Sequence, residues 1–91
     1  MRVTTAYRWY LRNGEWTLAA VPARVTEKQV RLNFRHAAFG QRVQLPVGQL
    51  DETIDNATER TTRDLARAVA KATKALSEAE GRWATFKDVT A

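Results

Sequence analysis

The chain holds few side chains capable of covalent or metal chemistry. It has one histidine (His36), one serine (Ser77) and no cysteine. That removes a thiol nucleophile, a thiolate metal site and a disulfide framework, and it fits a reducing compartment. Ser77 lies in a helical stretch with no base at a useful spacing. Glu15 and Glu27 fall at two different turns and do not form a carboxylate pair. No spacing matches a zinc site, a phosphate-cradling glycine loop or a dinucleotide fingerprint. No catalytic residue, metal or cofactor is expected, and the chain reads as non-enzymatic.

Arginine is the abundant functional group. Residues 1–50 carry eight basic side chains, Arg2, Arg8, Arg12, Arg24, Lys28, Arg31, Arg35 and Arg42, against Glu15 and Glu27, a balance of +6. Residues 51–91 carry seven basic against eight acidic side chains, a balance of −1. The positive field belongs to the first half, and its cations are nearly all guanidinium groups. These make planar, two-point contacts with phosphate or carboxylate.

The elements that must position these arginines follow from periodicity. Alternation of apolar and polar residues runs from Tyr7 to Val47. Asn13-Gly14 supplies the two positive-φ positions of a type I′ turn. A turn there pairs Arg12 with Glu15, Leu11 with Trp16, Tyr10 with Thr17 and Trp9 with Leu18. Tyr7, Trp9, Leu11, Trp16, Leu18 and Ala20 then share a face expected to be core. Arg8, Tyr10, Arg12, Glu15, Thr17 and Ala19 share the face expected to meet water. A second hairpin near Glu27-Lys28 pairs Val25 with Val30, Arg24 with Arg31, Ala23 with Leu32 and Val21 with Phe34. It leaves Arg24, Arg31, Asn33 and Arg35 outward, with Pro22 outward at an unpaired or bent position. A fourth strand covers Arg42–Val47. His36–Gln41 forms a loop with Phe39 at its tip.

Four or five short strands in about fifty residues form an antiparallel meander, curled to hide its edges. The run Trp16-Thr-Leu-Ala-Ala-Val21, Val30-Arg-Leu-Asn-Phe34, Arg42-Val-Gln-Leu45 and Leu50 resembles the small SH3-like barrels, in particular Tudor-like and KOW-like members. The resemblance covers residues 7–50. It implies binding of a peptide, a methylated residue or nucleic acid, and not catalysis. A Tudor-like cage needs outward aromatics, whereas Tyr7, Trp9 and Trp16 read as inward.

From Asp51 the period becomes helical. Asp51, Thr53 and Asn56 are candidate N-caps, and Glu52, Asp55 and Glu59 suit a positive helix start. Ile54, Thr58, Thr61, Leu65, Ala68, Val69, Ala72, Leu76 and Ala79 recur at three- and four-residue steps, and Gly81 is a natural stop. The expected fold is therefore α+β: a small antiparallel SH3-like barrel or strongly curved sheet, followed by one long C-terminal helix. Residues 1–50 form the basic barrel-like region, 51–81 the amphipathic helix and 82–91 a tail packing back through Trp83 and Phe86, all in one domain. Glu59–Arg63, Arg60–Asp64 and Lys74–Glu78 are spaced to pair along the helix.

The leading functional expectation is nucleic-acid binding, DNA or RNA, by backbone contacts through the outer sheet face. Arg8, Arg12, Arg24, Arg31, Arg35 and Arg42 would meet phosphates, with Tyr10 available to stack. The alternatives are a protein-interaction module or inhibitor of the phage or plasmid kind, meeting an acidic partner surface, and a homo-oligomeric structural subunit. The oligomer interface would be the narrow stripe Leu65, Val69, Ala72, Leu76 and Ala79, giving a homodimer. Met1–Ala6 has no apolar run and no segment is long enough to span a bilayer, so a cytoplasmic protein with no membrane partner is expected.

Overall fold

The computed structural model describes residues 1–90. Four antiparallel strands, β1 (Arg2–Arg12), β2 (Glu15–Val25), β3 (Gln29–Leu32) and β4 (Gln44–Pro46), form one sheet in the order β1-β2-β3-β4. The sheet curls into a half-barrel. One helix, α1 (Ile54–Thr90), follows, so the fold is α+β. The chain divides into two compact units, Met1–Thr61 and the helix from Thr62 onward.

The first hairpin turns where the Asn-Gly pair requires. Asn13 and Gly14 have φ of 52° and 81°, as a type I′ turn demands. Arg12 pairs with Glu15, Leu11 with Trp16, Tyr10 with Thr17 and Trp9 with Leu18, and the ladder runs without a break to Arg2 and Val25. The strand thus includes Arg2–Ala6, ahead of the expected start at Tyr7. The second hairpin pairs Val25 with Val30, Arg24 with Arg31 and Ala23 with Leu32. Pairing ends there. Phe34 lies outside the strand and is exposed, so the expected partnership with Val21 does not form.

The register is as expected, but the faces of the first hairpin are reversed. Ala6, Ala19, Val21, Ala23, Val30, Leu32, Phe39 and Leu45 form the core, and Tyr10 packs against it. Leu11 and Trp16 lie outside, 57 % and 49 % exposed, and Ala20 is exposed as well. The cause is parity. Successive side chains of a strand alternate between faces. Ala20 and Val21 cannot both point inward unless a bulge intervenes, and β2 has none. Val21 and Ala23 face Leu32, Val30 and Leu45 across the concave side, and that larger cluster decides the parity of the whole strand. The concave lining of Ala6, Ala19 and Ala23 is small, which suits a tightly curved sheet.

Two devices close the half-barrel. Phe39 lies in a 3-10 turn, Ala37–Phe39, and is 1 % exposed, so the ring expected at a loop tip plugs the core instead. His36 caps that turn, its Nδ1 accepting from the Ala38 N–H at 3.0 Å. On the free edge of β1, the Tyr7 N–H donates to the Asp51 carbonyl at 2.9 Å. Pro22 directs its carbonyl to the Asn33 N–H at 2.9 Å, and its nitrogen lies past the last β3 pair, where no ladder bond is lost.

Thr53 is the N-cap of α1, its hydroxyl accepting from the Asn56 N–H at 3.1 Å. The helix does not stop at Gly81. It continues through Trp83 and Phe86 to Thr90, so residues 82–90 are helix and not a returning tail. A mid-helix glycine costs only about 1 kcal/mol relative to alanine, which a helix this long tolerates.

Candidate functional site

The reversal of faces redistributes the arginines. Arg8 was expected on the wet face. It points to the concave side, half-buried, with its guanidinium 4.7 Å from the centre of the Phe39 ring and its Nη2 donating to the Gln49 carbonyl at 2.7 Å. Arg8 therefore braces the core plug and is not on the outer face. Tyr10 is likewise removed from it: its ring sits edge-on to His36, 5.1 Å between centres, and packs on the core. Arg42 is exposed but tethered, Nε to the Phe39 carbonyl at 3.1 Å and Nη2 to Gln49 Oε1 at 3.4 Å. Arg12 stands exposed beside the Asn13-Gly14 turn but shares the parity of Arg8 and Tyr10, so it too leaves the expected outer face, and Arg35 is exposed in the segment after β3.

Arg24 and Arg31 remain together on the outer face. They are direct cross-strand partners, both exposed, and neither has an ion pair among the described residues. Like charges directly opposite one another destabilise a sheet. This pair thus sets two guanidinium groups side by side with no protein carboxylate between them, a geometry suited to an external anion.

The sequence reading missed the remainder of that face. Along β2 the residues that share the parity of Arg24 are Pro22, Ala20, Leu18 and Trp16, and across from them on β1 are Val3, Thr5, Tyr7, Trp9 and Leu11. One end of the strip is basic and the other aromatic. Eight residues of extended chain separate Arg24 from Trp16, roughly 26 Å at about 3.3 Å per residue. Trp9 is anchored, its Nε1 donating to the Thr58 hydroxyl at 2.9 Å, whereas no hydrogen bond or ring contact holds the Trp16 indole among the described residues. Counting parity through β2 from Val21 would have found this strip.

Acidic groups near the sheet are already engaged. Arg2 pairs with Glu52, and that hydrogen bond, aided by one from Thr4, holds the Glu52 carboxyl below its ordinary pKa. Asp51 is buried and takes Arg60 Nε at 2.6 Å. Arg60 thus turns to Asp51. Of the three expected helix pairs, Lys74–Glu78 forms, at 4.0 Å. The expected oligomer stripe is on the surface, with Leu65, Val69 and Leu76 46–66 % exposed and Ala72 and Ala79 exposed beside them.

No family model, curated protein or solved structure matches the chain. Among the described residues no three His, Asp or Glu side chains cluster to hold a metal ion, and no helix is long and apolar enough to cross a membrane.

Proposed function

We propose that the chain binds nucleic acid through the convex face of its sheet, as a backbone binder with little base selectivity. The carrying observation is the exposed Arg24–Arg31 pair, opposed across β2 and β3 without an ion-pair partner among the described residues. Phosphate answers that geometry, since each guanidinium offers a planar fork of donors. The aromatic end of the same strip favours single strands, whose bases are free to stack on an open indole such as Trp16. A span of roughly 26 Å fits a short single strand, in keeping with site sizes of about 4–16 nucleotides for small barrels. Arg35, exposed after β3, adds to the positive field, while Arg8, Tyr10 and Arg12, which share the opposite parity of β1, take no part.

The test is fluorescence anisotropy of a labelled single-stranded oligonucleotide and its duplex, in low salt, with the wild type and the double variant Arg24→Glu/Arg31→Glu. Binding by the wild type and its loss in the double variant, with unchanged circular dichroism, supports the reading. No binding of either oligonucleotide by the wild type overturns it and leaves an acidic protein surface as the partner to seek.

A further inference from the structure

The second unit carries an apolar pattern that the sheet does not explain. Leu65, Val69, Ala72, Leu76 and Ala79 recur at alternating steps of four and three, and because Gly81 does not end the helix, Trp83 and Phe86 continue the same alternation. The mean step is 3.5 residues over three heptads. That is the repeat of a left-handed coiled coil, whereas a stripe made to lie on a single flat or curved surface follows 3.6. Leu65, Val69, Leu76, Trp83 and Phe86 are each 46–66 % exposed. Trp83 and Phe86 stack on each other, 6.2 Å between ring centres.

We infer that this stripe pairs with a second copy of the chain in an antiparallel coiled coil. Two features of the stripe select that occupant and direction. The first is size. The seam is smaller at its start (Leu65, Val69, Ala72) and bulkier at its end (Trp83, Phe86). A parallel, in-register pair would stack Trp83 on Trp83 and Ala72 on Ala72, crowding some layers and leaving others loose, and interiors tolerate neither. Reversing one copy sets the aromatic end of each helix against the smaller end of the other, so the stripe is complementary to itself turned round. The second is charge. With Val69, Leu76 and Trp83 at one seam position and Leu65, Ala72, Ala79 and Phe86 at the other, Arg82 and Lys87 flank the seam. In a parallel pair Arg82 of each copy would face Lys87 of the other, a repulsion on both sides. The antiparallel arrangement moves Arg82 opposite the alanine-rich flank of Ala68 and Ala75.

The chain has no cysteine, so single spin labels are unambiguous. Sedimentation of the full chain is expected to show a concentration-dependent dimer. Leu76→Glu should raise its dissociation constant at least about 30-fold, as loss of a central hot spot does, while the β-sheet signal in circular dichroism is retained. Labels at Ser77→Cys should lie within about 25 Å of each other across the dimer, and labels at Asp88→Cys beyond about 30 Å, since an antiparallel pair moves the ends apart by 1.5 Å per residue. Short distances at both positions mean a parallel pair and overturn the inference. A strict monomer at about 100 µM, a concentration at which mass action favours a weak dimer, also overturns it.

Discussion

Arg60 grips Asp51 at two points, Nε to Oδ2 at 2.6 Å and Nη2 to Oδ1 at 3.2 Å, and a further N–H of the same nitrogen reaches the Gly48 carbonyl at 2.9 Å. The Asp51 carbonyl is in turn the acceptor for the Tyr7 N–H on the open edge of β1. One charged pair therefore ties the second turn of α1, the segment after β4 and the first strand together. Arg60→Ala leaves a buried carboxylate without its cation. The expected loss is about 2–4 kcal/mol, somewhat under the usual range for a broken buried pair because Arg60 is partly solvated. Urea denaturation followed by circular dichroism measures it, and a loss under about 1 kcal/mol would show that the grip is dispensable.

The reversed faces make a second prediction. Leu45→Ala and Phe39→Ala remove fully buried side chains and should cost about 2–5 and about 3–5 kcal/mol. Trp16→Ala removes a half-exposed ring and should cost under about 1 kcal/mol, in the range of surface substitutions. The same chemical-denaturation series decides the matter. If Trp16→Ala proves as damaging as Phe39→Ala, the indole is core and the convex strip is not available to a ligand.

The Arg2–Glu52 pair predicts a dependence on pH. Glu52 has its carboxyl lowered on folding, through the hydrogen bond from Arg2 first and from Thr4 second. A carboxyl lowered in the folded state stabilises it above the unfolded pKa, and that contribution is lost as pH falls through the folded pKa. Glu52→Gln should therefore be less stable than the wild type at neutral pH and level with it in acid. Added salt should shrink the neutral-pH gap, since the pair is solvent-exposed. Thermal midpoints of both proteins across the acid range provide the measurement. A gap that persists unchanged in acid means that Glu52 acts through packing.

Binding should divide along the strip. Trp16→Ala should weaken single-strand affinity by a factor corresponding to about 1–3 kcal/mol per stacked base while sparing duplex affinity. Arg24→Ala and Arg31→Ala should each flatten the dependence of log affinity on log salt by about 0.7 for single strands. Arg8→Ala should leave that slope unaltered and lower stability, since its guanidinium lies against Phe39 inside the half-barrel. A slope that changes with Arg8 and not with Arg24 would relocate the interface to the concave side.

Local chemistry was legible in the sequence wherever a residue type dictates a dihedral angle. Asn13-Gly14 specified the turn and with it eleven paired rows of β1 and β2. The pairing of Arg24 with Arg31 was legible for the same reason, as the period-two pattern on each side of Glu27-Lys28 admits one register. The inward face of the first hairpin was not. Two tryptophans and two leucines outweigh Ala6, Arg8 and Ala19 when a hairpin is read alone, and only the continuity of β2 into Val21 and Ala23 reverses that weight. The outcome moved Arg8, Tyr10 and Arg12 out of the candidate site and exposed Trp16. Gly81 misled for a related reason: a glycine suggests a stop locally, but the spacing from Ala79 to Trp83 and Phe86 carries the helix past it.

Strand order that follows chain order has a consequence for the time course of folding. Each ladder of the meander joins segments adjacent in the chain, so each costs little loop-closure entropy and needs no earlier long-range contact. The Tyr7–Asp51 hydrogen bond is different, because it draws together positions roughly forty residues apart and so bears a larger closure cost than any ladder of the meander. Folding is thereby ordered from the Asn13-Gly14 turn outward, with β1's free edge the last to be sealed. During synthesis that edge stays open until the chain has grown past Asp51, and through that interval the long first hairpin is the part of the protein most exposed to pairing with a strand that is not its own.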